Sequence, residues 1–172
     1  MKINKNILIK TFLIFISSQL IFNVSKAYSA EKIKIIYSIF SRTIEVNSLK
    51  TFAEKGDSSK QLKKILKATG SPDKEIRSVL NKDFEIPITI ASKLVYSEIG
   101  NVFLTRLASI IHPPRADDER TGMLALRASV IQGIHIGNGK INLINFFEGY
   151  PTKTVILDVN ALSKVMNKVE SI

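Results

Sequence analysis

Residues 97–114 read Ser97-Glu98-Ile99-Gly100-Asn101-Val102-Phe103-Leu104-Thr105-Arg106-Leu107-Ala108-Ser109-Ile110-Ile111-His112-Pro113-Pro114. Ser97 reads as a helix cap, because its hydroxyl can accept from backbone N–H groups that the first turn leaves unpaired. Ile99, Val102, Phe103, Leu107, Ile110 and Ile111 recur at three- and four-residue spacing, the stripe of an amphipathic helix. Pro113-Pro114 ends it, since proline disfavours helix in the residue before it. A capped, striped and stopped helix in the middle of the chain predicts a largely helical fold.

Toward the N-terminus the same grammar repeats. Pro87 and Thr89 introduce a short helix with Ile90, Leu94 and Val95. Ser71-Pro72 opens another: serine caps, and proline fits the first turn, where its missing N–H costs nothing. Its buried side is Ile76, Val79, Leu80 and Phe84. Before it, Leu62, Ile65, Leu66 and Thr69 line one side of a helix that Gly70 stops, with Lys60, Lys63, Lys64 and Lys67 on the opposite face. Asn47 caps a short helix carrying Leu49, Phe52 and Ala53, which Gly56 ends. Ile33, Ile35, Tyr37 and Ile39 alternate with Lys32, Lys34 and Ser38, the two-residue period of a half-buried strand. Ile44 and Val46 continue the alternation after the polar break Ser41-Arg42, which predicts a hairpin.

Toward the C-terminus, Asp117-Asp118-Glu119 sits where a helix N-terminus prefers negative charge. The helix that follows holds Leu124, Leu126, Ala128, Val130, Ile131 and Ile134, and Gly137-Asn138-Gly139 is a turn. Ile141, Leu143, Ile144, Phe146 and Phe147 are too continuous for an exposed element and predict a buried helix ending at Gly149-Tyr150-Pro151. Lys153 to Leu157 reads as a strand, and Leu162, Val165, Met166 and Val169 form the apolar face of a last helix. The fold class is therefore α+β, mainly helical, with about six to seven helices. A small antiparallel sheet is expected from the N-terminal hairpin plus the late strand.

Residues 1–29 have a different character. Lys2, Lys5 and Lys10 precede an almost wholly apolar run from Thr11 to Val24, and Ser25-Lys26-Ala27-Tyr28-Ser29-Ala30 supplies small residues at a cut site. A basic end, an apolar stretch and small residues describe a signal peptide, cleaved after Ala27 or Ser29. A retained anchor is the weaker fit, because Ser17-Ser18-Gln19 and Asn23 dilute a run that needs about 20 apolar residues to span a bilayer. The expected organisation is a signal peptide over 1–29 and a single domain over 30–172. The destination is outside the cytoplasm: periplasm, thylakoid lumen or extracellular space.

Composition narrows the chemistry. With 45% hydrophobic and 23% charged residues the chain is neither collagen-like nor disordered, and without cysteine it has no thiolate nucleophile, redox pair or cysteine-bound zinc. Four lysines before residue 30 (Lys2, Lys5, Lys10, Lys26) account for part of the net +10, leaving +6 for the remainder. The face of Lys60, Lys63, Lys64 and Lys67 reads as a solvated helix face, with weak attraction to a membrane surface as the alternative. Nucleic acid is not expected as a partner, because lysine outnumbers arginine 19 to 6 and no aromatic interleaves the cluster.

Catalytic constellations are sparse. The two histidines are His112, read as helix-end capping, and His135, read as half-buried between Ile134 and Ile136. No G-x-S-x-G elbow is present; Gly56-Asp57-Ser58-Ser59-Lys60 comes nearest and lacks the second glycine. Phosphate loops and dinucleotide fingerprints are missing, and Asp117, Asp118 and Glu119 are better explained as dipole partners than as paired acid and base. No catalytic, cofactor-binding or metal-binding residue is assigned, and no cofactor is expected.

One resemblance spans most of the chain. It is carried by Glu31-Lys32-Ile33, Tyr37-Ser38, Phe40, Arg42-Thr43-Ile44 and Val46, then Leu49, Phe52-Ala53 and Gly56. Val95-Tyr96-Ser97, Ile99-Gly100, Ala125-Leu126-Arg127-Ala128, Leu143-Ile144-Asn145-Phe146 and Tyr150-Pro151 continue it. In this order the segments resemble the N-terminal domain of unknown function attached to predicted alpha/beta-hydrolases of cyanobacteria. The resemblance implies a preface to a catalytic domain, here as a stand-alone copy, and it brings no catalytic residue with it. The resulting expectation is an exported, non-catalytic binding or accessory module whose partner is a separate hydrolase or a second copy. Phe146, Phe147 and Tyr150 are read as core packing, with a share in that surface as the alternative. Two other readings stay open: a small hydrolase using Ser97, or Ser129 with His135, and a lipid or pigment carrier.

Overall fold

The computed structural model describes residues 29–70, 72–116 and 118–170. Residues 1–28 of the expected signal peptide, Ser71 and Asp117 lie outside the described residues, as do the side chains of Thr69, Val165, Met166 and Val169. The fold is α+β and mainly helical.

Strands β1 (Lys32–Tyr37) and β2 (Phe40–Glu45) form the hairpin, with Ile33 opposite Ile44 and Tyr37 opposite Phe40. The turn is Ser38-Ile39 rather than Ser41-Arg42. Apolar alternation runs straight through the turn and hides it; Ser38 takes a positive φ of 53°, and its N–H donates to Asn160 Oδ1 at 2.7 Å. Three helices follow: α1 (Val46–Lys55), α2 (Lys60–Thr69) and α3 (Asp73–Leu80). Asn47 is inside α1 rather than capping it, and Pro72, not Ser71, takes the N-cap position of α3. Arg77 of α3 donates through Nε and Nη2 to the Ala53 carbonyl at 3.3 and 3.2 Å, and Asn81 Nδ2 reaches the same oxygen at 2.9 Å. A cation over the last carbonyls of α1 both fills their lone pairs and opposes the negative end of the helix dipole.

The short strand β3 (Phe84–Glu85) leads to α4 (Ile88–Val95) and α5 (Glu98–Ala108). The chain then runs through β4 (Ile111–His112), the long α6 (Glu119–Ile136), β5 (Lys140–Ile141), α7 (Leu143–Glu148), β6 (Thr154–Asp158) and α8 (Val159–Glu170). Eight helices are thus present among the described residues, one above the upper expectation. Even the six-residue α7 holds, because Asn142 caps it through Asn145 N at 2.9 Å and Ile144 and Phe147 are buried. His112 stands on a strand, not at a helix end, since α5 stops three residues before Ile111.

The main sheet is mixed rather than antiparallel, with strand order β2-β1-β6-β4. β6 lies parallel to β1, Ile33 facing Val155 in register, and antiparallel to β4, Ile111 facing Leu157. Val155 and Ile156 are consecutive, point to opposite faces and are both buried, so the sheet is covered on both faces at β6 and its sequence reads as a continuous apolar run. A second sheet pairs β3 with β5 antiparallel. Phe52, Leu126, Tyr150 and Val155 are fully buried and anchor a core that joins the sheet to α1, α6 and α7.

Candidate functional site

The apolar stripe of α5 does not point where its spacing predicts. Gly100, Leu104 and Ala108 face inward, while Ile99, Val102 and Phe103 face solvent, Ile99 at 80% exposure and Phe103 at 63%. Only the far end of the stripe is covered, with Leu107 half-buried and Ile110 buried. Close approach of backbones explains the rotation. A Cβ on Gly122 of α6 would come 2.8 Å from the Ala108 Cβ, and one on Gly100 would fall 2.0 Å from the Leu94 carbonyl oxygen. Small residues let α5 press against α6 and against the end of α4, and the large ones are left outside. In α4 the division is similar: Ala91 and Val95 are buried, whereas Ile88, Ile90 and Leu94 are exposed.

Arg127 of α6 holds this helical pair in place. Its Nε donates to the Val95 carbonyl at 2.9 Å, its Nη2 to Asn101 Oδ1, and its guanidinium stacks 4.7 Å over the Tyr96 ring. One side chain therefore caps α4, grips the first turn of α5 and supports the exposed Tyr96. Exposed apolar side chains result on both helices: Ile90 and Leu94, four residues apart on α4, and Ile99, Val102 and Phe103 on α5.

The serines and histidines singled out by the sequence do not converge. Ser97 is the N-cap of α5: its Oγ accepts from Gly100 N at 3.0 Å and donates to the Leu94 carbonyl at 2.7 Å. Its proton is held by a backbone oxygen, not by a base. Ser129 is wholly buried and donates to the Phe146 carbonyl. His135, six residues along the same helix, lies about 9 Å further along the axis and ~240° around it, and it is exposed rather than half-buried, as is the neighbouring Ile136. His112 keeps Nδ1 2.9 Å from the Pro113 carbonyl. Asp118 caps α6, and the hydrogen bond from Thr121 N, at 2.6 Å, holds its carboxyl below the usual carboxylate range. Among the described residues no group of three or more His, Asp or Glu is placed to hold a metal ion.

Residues 29–158 match the family described as an alpha/beta hydrolase of unknown function (DUF1400). The chain belongs to that family. No curated protein and no solved structure matches it.

Two clefts of this DUF1400 chain carry charged residues at their edges. A cleft of about 390 Å³ at the start of β1 is lined by Glu31, Lys32, Glu45, Asn47 and Glu148, with Lys50 bonded to Glu148 at 2.8 Å. Another, of about 540 Å³, lies between α2 and α3 beside Lys63, Lys67 and Asp73. Lys60, Lys63, Lys64 and Lys67 are all exposed, opposite the buried Leu62 and Leu66. The aromatic run turns inward: Phe147 and Tyr150 are buried and Phe146 packs edge-on against both rings. Exposed apolar side chains thus lie on α4 and α5, which periodicity alone assigns to the core, and also at the β1–β2 turn, where Tyr37, Ile39 and Phe40 are exposed. On α5 the legible signal is the four-residue recurrence of small or buried positions, Gly100, Leu104 and Ala108.

Proposed function

We propose that this DUF1400 chain is an exported, non-catalytic binding or accessory module that recruits a protein partner through α4 and α5. The observation that carries the reading is the solvent-facing apolar surface of Ile90, Leu94, Ile99, Val102 and Phe103, supported from beneath by Arg127. Such a surface gains free energy when covered, roughly 25 cal/mol for each Å² of apolar area removed from water. The hydroxyls of Ser97 and Ser129 are committed to backbone carbonyls, which supports a binding role over acyl transfer. Lys60, Lys63, Lys64 and Lys67 add weak attraction toward anionic surfaces, which moderate salt screens.

Affinity capture with the chain from the exported fraction, at moderate salt, tests this. A reproducible partner that is lost on Phe103→Asp is expected; recovery unaffected by that substitution argues against the surface. The family description favours one competing reading, a hydrolase with an unorthodox serine. Labelling by a fluorophosphonate probe, abolished by Ser97→Ala or Ser129→Ala, would replace the proposal with that reading.

A further inference from the structure

We infer that the occupant of the α4–α5 surface is a second copy of this chain, packed with α5 antiparallel to itself about a two-fold axis at Val102 and Phe103. This rests on the binding-module reading and specifies its partner. On α5 the exposed positions Ile99, Val102, Phe103 and Arg106 follow i, i+3, i+4 and i+7 spacing, one straight strip along the helix. The strip is symmetric about the point between Val102 and Phe103. Turned end for end on a copy of itself, it lays Val102 against Phe103 twice and Ile99 against the aliphatic stem of Arg106 twice, as a closed two-fold interface requires.

Charge selects the same direction. Glu98 and Arg106 are exposed, stand at opposite ends of α5 about 12 Å apart, and make no ion pair among the described residues. Antiparallel packing brings each Glu98 to the Arg106 of the second copy, whereas parallel packing sets like charges together. Opposed helix dipoles favour the same arrangement. The area suits a weak dimer. Ile90, Leu94, Ile99, Val102 and Phe103, each more than half exposed, present on the order of 500 Å² of apolar surface, below the ~800 Å² per partner of a standard interface and in the range of small, reversible ones. A lipid surface fits less well. Residues 82–108 carry three basic groups (Lys82, Lys93, Arg106) and three acidic ones (Asp83, Glu85, Glu98), so the face has no basic excess for anionic headgroups.

The chain has no cysteine, which makes the experiment direct. In the full chain, Val102→Cys is expected to give a disulfide-linked dimer under mild oxidation, while Gln132→Cys, on an exposed position of α6, gives none. Mixing Glu98→Cys with Arg106→Cys is expected to give a crosslinked pair that neither variant forms alone. By sedimentation, Glu98→Arg and Arg106→Glu each weaken the dimer about three- to tenfold, and the double reversal restores it. Phe103→Asp abolishes the dimer with the helical circular dichroism unchanged. A monomer at high micromolar concentration, or an association indifferent to Phe103→Asp, overturns the inference. A monomeric chain that captures a different protein through Phe103 overturns it too, and leaves the binding-module reading standing.

Discussion

Tyr150 shows at a single residue how this core is balanced. Its ring is fully buried against Phe146, yet its hydroxyl has no hydrogen-bond partner. A buried polar group left unpaired costs roughly 1–3 kcal/mol. Tyr150→Phe keeps the ring and removes only the oxygen, so urea denaturation should show a gain of about 1 kcal/mol. Burial also pushes the phenol above its ordinary value of 10.0. The folded state then holds this proton after the unfolded chain has begun to lose it. The contribution is therefore whole below pH 10 and falls as pH rises above it, so the stability difference between Tyr150→Phe and the parent should widen between about pH 9 and pH 11. An unchanged difference across that range would show that the phenol ionises freely in the fold. At this scale the sequence is uneven to read. Ser97 is legible as a cap because its partner, the Gly100 N–H, lies three residues on, yet Asn47, read by the same local rule, falls inside α1. Ser129 is not legible, because the Phe146 carbonyl it bonds comes from another helix.

Helices were legible as helices, but not always as to which side is wet. In α2 the lysine face and the leucine face are opposite each other as expected, since every cue agrees. In α5 two cues conflict, and the small-residue strip wins because it permits backbone contact with α6 and α4 that a branched side chain would block. Apolar periodicity reports that a helix has two faces; it does not say whether the apolar one meets the core or another molecule. The anchor of this arrangement is Arg127, whose guanidinium serves Val95, Asn101 and Tyr96 at once. Arg127→Met retains the apolar stem and deletes all three polar contacts, for an expected loss of about 1–3 kcal/mol. Because two of those contacts reach the C-terminal end of α4, amide exchange should accelerate over Ile88–Val95 while the α6 amides stay protected. Uniform acceleration through both helices would mean that α4 does not open separately.

At the scale of the whole molecule the unread quantity was strand direction. Alternation at Ile33, Ile35 and Tyr37 and the apolar run at Val155 to Leu157 mark strands, but neither records which way one runs beside the other. That is decided by about 120 intervening residues, whose helices α1 to α7 carry the chain back to the edge of β1. A late strand beside an early hairpin is most simply imagined as another antiparallel neighbour; here it enters between β1 and β4 and runs parallel to β1. The parallel register makes a specific claim about energy. Ile33 and Val155 are cross-strand partners, 2% and 0% exposed, so each loses packing when the other is shortened. Ile33→Ala and Val155→Ala should each destabilise by about 2–4 kcal/mol. Combined, they should fall short of the sum by roughly 0.5–2 kcal/mol, as residues in contact do. Ile33→Ala with Leu126→Ala is the comparison, since Leu126 is equally buried but on α6. Near-additive losses for Ile33 and Val155 would break the parallel pairing, and with it the closure that joins the two ends of the domain.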